Sequence, residues 1–515
     1  MNGAEALMQA LCDGGVEVCF ANPGTSEMQL VAAIDKQKNM RAILGLFEGV
    51  VTGAADGYGR MKDKPAVTLL HLGPGLANGL ANLHNAKRAR TPLINVVGDH
   101  AVEHLKYNAP LTSDIVGVAS PMSDWVRTSI SPSDLASAGA EAIAQSQTYP
   151  GKICTVIAPG DHAWGENASV AAQLKIETPP TLSDKEIQEA AEKLLAAEKP
   201  ALFLGGRALR KQALHHAGRI SSLLNARIIC ETLPARIQRG EGSVPIERLP
   251  YFAESAVEFL KELTQITFVG APPPVAFFAY PDKPGWLSPP NAQLLELASP
   301  YVNAEDTLER LADAMEAPSK PTNIQAKKIF EYEKGKLDRE SAAIITANLL
   351  PEHAIVSDES GTSGGSFFRY TASSSFHDWL IITGGSIGQG LPVAVGAAVA
   401  YPDRKVVSLQ ADGSGMYTLQ ALWTMARENL DVVVIIMKNN SYGILNIELE
   451  RVGVKNPGEK ALSLLDLSNP ILDWVALAEG MGVRAKSAST TDEFSSYLSE
   501  ALSSKGPTLI EIMLP

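Results

Sequence analysis

The chain has 515 residues, 45% hydrophobic, 20% charged and 6% aromatic, a globular composition far from disordered, collagen-like or membrane chains. At roughly 100–200 residues per domain, this length predicts about three domains and excludes a single small binding module. Lys+Arg 44 against Asp+Glu 57 leaves a net charge of −13, which argues against a nucleic-acid partner or an anionic membrane surface. The four cysteines, Cys12, Cys19, Cys154 and Cys230, form no CxxC pair and keep no metal-ligand spacing with histidines. They predict buried thiols in a reducing compartment, with neither zinc nor disulfides. No Lys or Arg precedes Lys36, unlike a secretory or transit leader. The longest apolar runs, such as 432–437, fall well short of the ~20 residues of a membrane helix. A soluble, cytoplasmic enzyme is the expectation.

Strand-length aliphatic runs alternate with helix-length amphipathic stretches, the signature of parallel α/β architecture. The first block opens with a helix over 3–13, carries strands at 66–71, 93–97 and 154–158, and closes near residue 165. The stretch Glu177-Thr-Pro-Pro-Thr-Leu-Ser-Asp reads as a linker into a helix starting near Lys185, capped by Ser183. The second block has strands at 201–204, 227–230, 265–269 and 293–297 and ends at Glu316-Ala-Pro-Ser-Lys-Pro-Thr. The third opens with a helix over 341–350 and carries strands at 354–357, 405–409, 432–437 and 508–513. Three consecutive doubly wound parallel-sheet domains are expected, over 1–165, 183–318 and 335–515. Two small-residue helices, at Gly49-Val-Val-Thr-Gly-Ala-Ala and Pro392-Val-Ala-Val-Gly-Ala-Ala, hint that the first and third are duplicates.

The run from Lys405 to Arg427 is a strand ending at Asp412, a turn over Gly413, Ser414 and Gly415, and then a helix. Backbone amides can approach a phosphate there, and Asp412 stands at the carboxyl end of the strand, where a bridging metal would lie. The following strand ends in Asn439-Asn440-Ser441-Tyr442-Gly443. A carboxylate (Asp412), a side-chain amide oxygen (Asn439) and a backbone carbonyl (Ser441), completed by phosphate oxygens and water, form an oxygen set suited to Mg²⁺. An Asp-Gly-Ser turn alone is a common strand-to-helix connection. The Asp-Gly turn followed after a helix and a strand by Asn-Asn resembles the signature of thiamine-diphosphate enzymes, and the gap from Asp412 to Asn439 fits it. Ala411 stands where that family usually has Gly, a departure that touches loop packing and not ligation.

The resemblance extends along the whole chain, through a pyrimidine-binding, a central and a diphosphate-binding domain. It implies thiamine diphosphate and Mg²⁺ as cofactors, with Asp412, Gly413, Ser414, Asn439, Ser441, Tyr442 and Gly443 around the diphosphate and Asp412, Asn439 and Ser441 on the metal. It implies that Glu48, after a hydrophobic strand and at the start of a helix, hydrogen-bonds N1′ of the aminopyrimidine. Gly361 and Thr362 would help hold the diphosphate, the Gly385 carbonyl would accept from the 4′-amino group, and Ile387 would be the apolar wedge behind the bent cofactor. The family's active sites lie between subunits, so a homodimer or homotetramer is implied.

Within the family, Asn22-Pro-Gly-Thr, the Leu-His at 70–71 and the ending at Leu514-Pro515 resemble the benzoylformate decarboxylase branch. There His71 would transfer protons over the thiazolium, and the Thr25 hydroxyl, with Ser26 beside it, would meet the substrate carboxylate. His84 and Asn82 are expected to face the core or solvent. Where that branch has a second catalytic histidine, after Gly270-Ala-Pro-Pro-Pro, this chain has Phe278. Loss of one proton shuttle slows protonation after CO₂ leaves and gives time for attack on a second carbonyl. That outcome is acetolactate-synthase-like, and Gly385-Ser-Ile-Gly-Gln-Gly-Leu-Pro resembles that branch too. The expected activity is therefore 2-oxo-acid decarboxylation with carboligation to a second carbonyl; alternatives are a simple decarboxylase, a silent regulatory homologue and a nicotinamide- or flavin-dependent oxidoreductase. Substrate-pocket candidates are Thr25, Ser26, His71, Phe278, Asn446 and Leu449. Acetolactate synthases hold FAD in the central domain, but no phosphate-loop fingerprint indicates it here.

Overall fold

Asn2 caps the opening helix, Gly3–Asp13: its side chain accepts from the Glu5 N–H at 2.9 Å, and Glu5 accepts from the Asn2 N–H at 3.1 Å, a reciprocal box that satisfies two otherwise orphaned donors. The same device starts Asp184–Leu195 at Ser183 and Thr491–Ser503 at Thr490. The computed structural model describes residues 1–514.

Three sheets follow one another along the chain. The first contains β1 (Val18–Asn22), β2 (Arg41–Leu44), β3 (Ala66–Leu70), β4 (Leu93–Asp99), β5 (Trp125–Thr128) and β6 (Ile153–Pro159) in the order β2-β1-β3-β4-β6-β5, all parallel. The central chain supplies β7 (Pro200–Leu204), β8 (Arg227–Cys230), β9 (Ile237–Arg239), β10 (Glu247–Arg248), β11 (Gln265–Val269) and β12 (Gln293–Ala298). Five of these make the second sheet, β10-β8-β7-β11-β12. The last six strands are β13 (Ile355–Glu359), β14 (His377–Ile381), β15 (Val406–Ala411), β16 (Val432–Lys438), β17 (Arg484–Ala488) and β18 (Thr508–Met513). They form the third sheet, β17-β18-β16-β15-β13-β14-β9. Here the structure departs from three self-contained parallel sheets. The short strand β9 leaves the central segment and pairs antiparallel with β14, His377 opposite Arg239.

Both faces of the first sheet are covered, as parallel sheets require. Leu7, Leu11, Leu135 and Ile143 pack on the face of Cys19, Val67, Ile94 and Val156. Val50, Ala54, Leu76 and Leu83 pack on the face of Phe20, Leu70, Val97 and Ile157. This second core runs on into the third domain through Leu391, Val395, Val406 and Val434. The two small-residue helices, Glu48–Lys62 and Gly390–Ala400, are the seam. A Cβ on Gly396 would stand 1.9 Å from the Ala54 carbonyl oxygen, and one on Gly57 2.2 Å from that of Val393, so only glycine lets the backbones approach this closely. The shared small-residue pattern is thus a mutual packing surface.

A buried polar junction joins all three segments. Asp56, fully buried, accepts two bonds from Arg60 at 2.8 and 2.7 Å, one from Thr91 at 2.6 Å and one from Gln389 at 2.7 Å. Arg60 also donates to the Ile381 carbonyl at 2.7 Å and that of Ala235 at 3.3 Å. Arg236 donates to Asp378 at 2.5 Å and to the Arg60 and Met61 carbonyls at 2.9 Å. The four cysteines are free, and burial pushes the Cys19 and Cys230 thiols up to about 12. No helix among the described residues is long and apolar enough to cross a membrane.

Candidate active site

The carboxyl ends of β1, β2 and β3 meet at one edge of the first sheet. The chain leaves β1 through Pro23 and Gly24 into the single turn Thr25–Glu27. Glu27 points inward and is fully buried. Its carboxylate accepts from the Gly24 N–H at 2.8 Å, the Ser26 hydroxyl at 2.9 Å and Nδ1 of His71 at 2.8 Å. Ser26 Oγ also lies 3.2 Å from His71 Nδ1. This carboxylate assigns the His71 proton to Nδ1 and leaves Nε2 to face outward, the usual logic of an oriented imidazole. His71 directly follows β3, and Leu72 after it is held at φ 48°, a strained left-handed position of the kind that gathers at functional turns. Glycine is required at position 24 because a Cβ there would stand 2.2 Å from His71 Nδ1.

Glu48 begins the next helix, 8% exposed. Its Oε2 accepts from Asn78 Nδ2 at 3.0 Å, and Gly75 leaves room for its other oxygen. Thr25, Ser26, His71 and Glu48 thus share the strand-end edge of the first sheet, where α/β sheets bind ligands. Thr25 is exposed, and a hollow of about 540 Å³ adjoins it and Ser26, walled by Asp99, His100 and His104.

The second group stands at the carboxyl ends of β15 and β16. Asp412, 2% exposed, accepts from the N–H of Gly413 at 2.9 Å on one oxygen and from those of Asn439 at 3.2 Å and Asn440 at 2.7 Å on the other. Burial raises its carboxyl above the usual range, and these three bonds oppose that rise. Asn439 Oδ1 accepts from the Ser441 N–H at 3.0 Å, the Tyr442 ring covers Gly413, and Gly443 lies beside Asn439 and Thr362. The two strand ends therefore converge, as the spacing predicts. Among the described residues no group of three or more His, Cys, Asp and Glu could hold a metal ion. The donors present are one carboxylate, amide oxygens and carbonyls, a set that fits Mg²⁺ completed by phosphate oxygens and fits zinc poorly.

The turn carrying Gly385 and Ile387 is gripped by the first domain. Asn85, fully buried, accepts from the N–H groups of Gly384 at 3.1 Å and Ser386 at 3.2 Å and donates to the Ser386 carbonyl at 2.7 Å. Asn82 donates to both the Gly49 and Gly388 carbonyls, at 2.8 and 3.2 Å, and His84 Nε2 lies 3.1 Å from the Gly384 carbonyl. Asn82 is buried, as expected, and His84 half-buried; both form the joint between two domains. Gly385 has φ 72°.

Phe278 is 58% exposed. Its neighbour Tyr280 donates its hydroxyl to Glu448, and Arg451 makes two bonds to Glu254 at 2.6 and 3.0 Å. The central segment is thereby tied to Gly443–Arg451, the helix bearing Asn446 and Leu449. No hydrogen bond or ion pair among the described residues joins the side chains of Thr25, His71 or Glu48 to the Asp412–Gly443 group. Glu27, Asn78 and Asn85 escaped the sequence reading, because their value lies in partners 30 to 301 positions away. In the second sheet, the crevice between Gly206 and Gly270 is crowded by Arg60, Arg90, Arg207, Arg210 and Tyr149, leaving about 30 Å³. That suits a water-sized group.

Two strand-end groups on the first and third sheets, one with a helix-start glutamate and one with an Asp-Gly turn facing Asn-Asn, define an enzyme that binds thiamine diphosphate. The chain belongs to the thiamine pyrophosphate enzymes: residues 1–118 match the family's N-terminal TPP binding domain and residues 359–512 its C-terminal TPP binding domain. It is 48% identical over 516 residues to the Mycobacterium tuberculosis protein named "Putative acetolactate synthase large subunit IlvX", covering 100% of this chain and 99% of that one. It is 27% identical over 527 residues to benzoylformate decarboxylase of Pseudomonas aeruginosa, covering 97% and 96%. The solved thiamine diphosphate-dependent 4-hydroxybenzoylformate decarboxylase of Rhodococcus jostii RHA1 superposes with a TM-score of 0.88 at 26% identity, covering 100% of this chain and 99% of that one.

Proposed function

We propose that the protein is a Mg²⁺-dependent enzyme that decarboxylates a 2-oxo acid and transfers the remaining acyl unit to a second carbonyl compound. Bound thiamine diphosphate would supply the carbon nucleophile and the electron sink, and the protein the orientation and the proton traffic. Asp412, the Asn439 side chain and the Ser441 carbonyl would hold the metal, with Gly413, Ser414, Gly361 and Thr362 beside the diphosphate. Glu48 bonds the aminopyrimidine and Ile387 wedges it. Thr25 and Ser26 would bind the substrate carboxylate, and His71 would exchange a proton at Nε2 while Glu27 keeps the Nδ1 proton in place.

The observation that carries the ligation reading is Phe278. It stands on the central segment tied to the Asn446 and Leu449 helix, and its ring cannot supply a proton. One specific observation favours the second reading, simple decarboxylation of a benzoylformate-like acid: Glu27 lies 2.8 Å from His71 Nδ1, an orientation that suits an imidazole to proton transfer. The assay that separates them incubates the enzyme with pyruvate and with benzoylformate and measures CO₂, aldehyde and 2-hydroxyketone. A 2-hydroxyketone or 2-hydroxy-2-acyl acid as the main product is expected; CO₂ and aldehyde alone would leave the simple decarboxylase.

A further inference from the structure

Glu359 has no role in the chemistry above, yet its carboxylate sits between the two segments that matter most to the cofactor. It is the last residue of β13 and 4% exposed. One oxygen accepts from the N–H groups of Gly388 at 2.7 Å and Gln389 at 3.3 Å. The other accepts from the Gly390 N–H at 2.8 Å and from Gln410 Nε2 at 2.9 Å. Gln410 Nε2 in turn lies 2.6 Å from Ser414 Oγ. Four donors converge on two oxygens, an arrangement suited to an acceptor-only carboxylate, and they oppose the rise that burial imposes on its pKa. The three N–H groups lead into the helix Gly390–Ala400, Gly390 being its first residue, so the charge also meets the positive end of that helix. The fit is tight: a Cβ on Gly390 would stand 2.8 Å from the Glu359 Cβ and 2.4 Å from Gln410 Oε1.

On one side, then, the carboxylate fixes the end of the turn that carries Gly385 and Ile387. On the other it reaches, through Gln410, the loop Asp412–Ser414. We propose that Glu359 is a positioning residue that sets the distance between the pyrimidine turn and the diphosphate loop, so that both ends of one thiamine diphosphate are gripped at once. This rests on the cofactor placement proposed above. Glutamine cannot replace it: a single carbonyl oxygen satisfies one pair of donors, and the amide NH₂ then faces the other pair, donor against donor. Diphosphate alone touches only the loop, so it is indifferent to the spacing.

The test uses the full-length protein, freed of cofactor by dialysis and titrated calorimetrically with Mg²⁺ plus thiamine diphosphate and, separately, with Mg²⁺ plus inorganic diphosphate. For Glu359→Gln, thiamine diphosphate should bind roughly 10- to 100-fold more weakly, the loss of one or two charge-assisted bonds, while inorganic diphosphate binds within about 3-fold of wild type. The near-ultraviolet circular dichroism of the bound aminopyrimidine should fall with it. Equal losses for both ligands, or no loss for either, would overturn the proposal. Should that variant not fold, Gln410→Leu keeps the carboxylate and its backbone bonds but cuts the tie to Ser414, and the same selective loss is expected; its absence again overturns the proposal. A wild-type protein that bound neither ligand would instead overturn the cofactor placement, and this inference with it.

Discussion

His71 owes its position to two neighbours, one that presses and one that holds. Gly24 lies flat beneath the imidazole, and Glu27 accepts from its Nδ1. Gly24→Ala introduces a methyl group 2.2 Å from that nitrogen, so the ring must move, while the surrounding strands keep their packing. Glu27→Gln leaves the shape but removes the charge that orients the ring. Both variants should fold, bind thiamine diphosphate as wild type does, and lose roughly 10²-fold in kcat, within the range that positioned proton transfer contributes. Steady-state kinetics beside a cofactor titration checks this; unchanged kcat in Glu27→Gln would remove His71 from proton transfer.

Strand β9 joins the central segment to the third sheet through a pairing in which His377 faces Arg239. His377 is fully buried, donates from Nδ1 to the Ser375 carbonyl at 2.8 Å and leaves Nε2 unpartnered. Burial first, and then the Arg239 cation, hold its pKa down to about 3; Asp378 opposes and Arg404 adds to the effect. The unfolded chain takes this proton near pH 6.5 and the folded chain only near 3, so between those values the unfolded state binds more protons and stability falls as pH falls. Above about pH 6.5 the effect is absent. From pH 7 to 5 it should cost wild type up to about 2 kcal/mol more than His377→Gln, read from urea unfolding at both pH values. Parallel pH slopes for the two proteins would contradict the assignment. The same joint shows what a sequence can reveal. β7 and β16 are apolar runs buried on both faces, and their patterns announce them. β9 (Ile-Gln-Arg) and β10 (Glu-Arg) are too short and polar to signal a strand, and β14 begins His-Asp, whose charge is met only by Arg236 and Arg404 from distant segments.

At the scale of the whole molecule, the excess of negative charge forbids holding a diphosphate by bulk attraction. The account relies on a metal at Asp412 and Asn439 with backbone amides, so chelating the metal should release the cofactor, measurable by gel filtration and absorbance. The residues that would touch the cofactor were legible because Asp412, Asn439 and Glu48 lie at motif spacings along the chain. Glu27, Asn85 and Glu359 were not, since each acts through hydrogen bonds that only the folded chain creates. Within one chain the seam of Gly57 and Gly396 locks the first and third domains together and Asn82 and Asn85 grip the Gly384–Gly388 turn, while among the described residues no hydrogen bond or ion pair joins the Glu48 side chain to the Asp412 group. An active site shared between two subunits, as the family resemblance implies, would pair Glu48 of one chain with Asp412 of another.

Co-expression of Glu48→Gln with Asp412→Asn tests this most directly. Each variant alone should be inactive. In a mixed dimer one site carries both defects and the other carries neither, so activity with the 2-oxo acid should reappear in the mixture and disappear when the two are purified as separate homo-oligomers. A co-expressed mixture as inactive as its parents would place both halves of the site in a single chain and contradict the account.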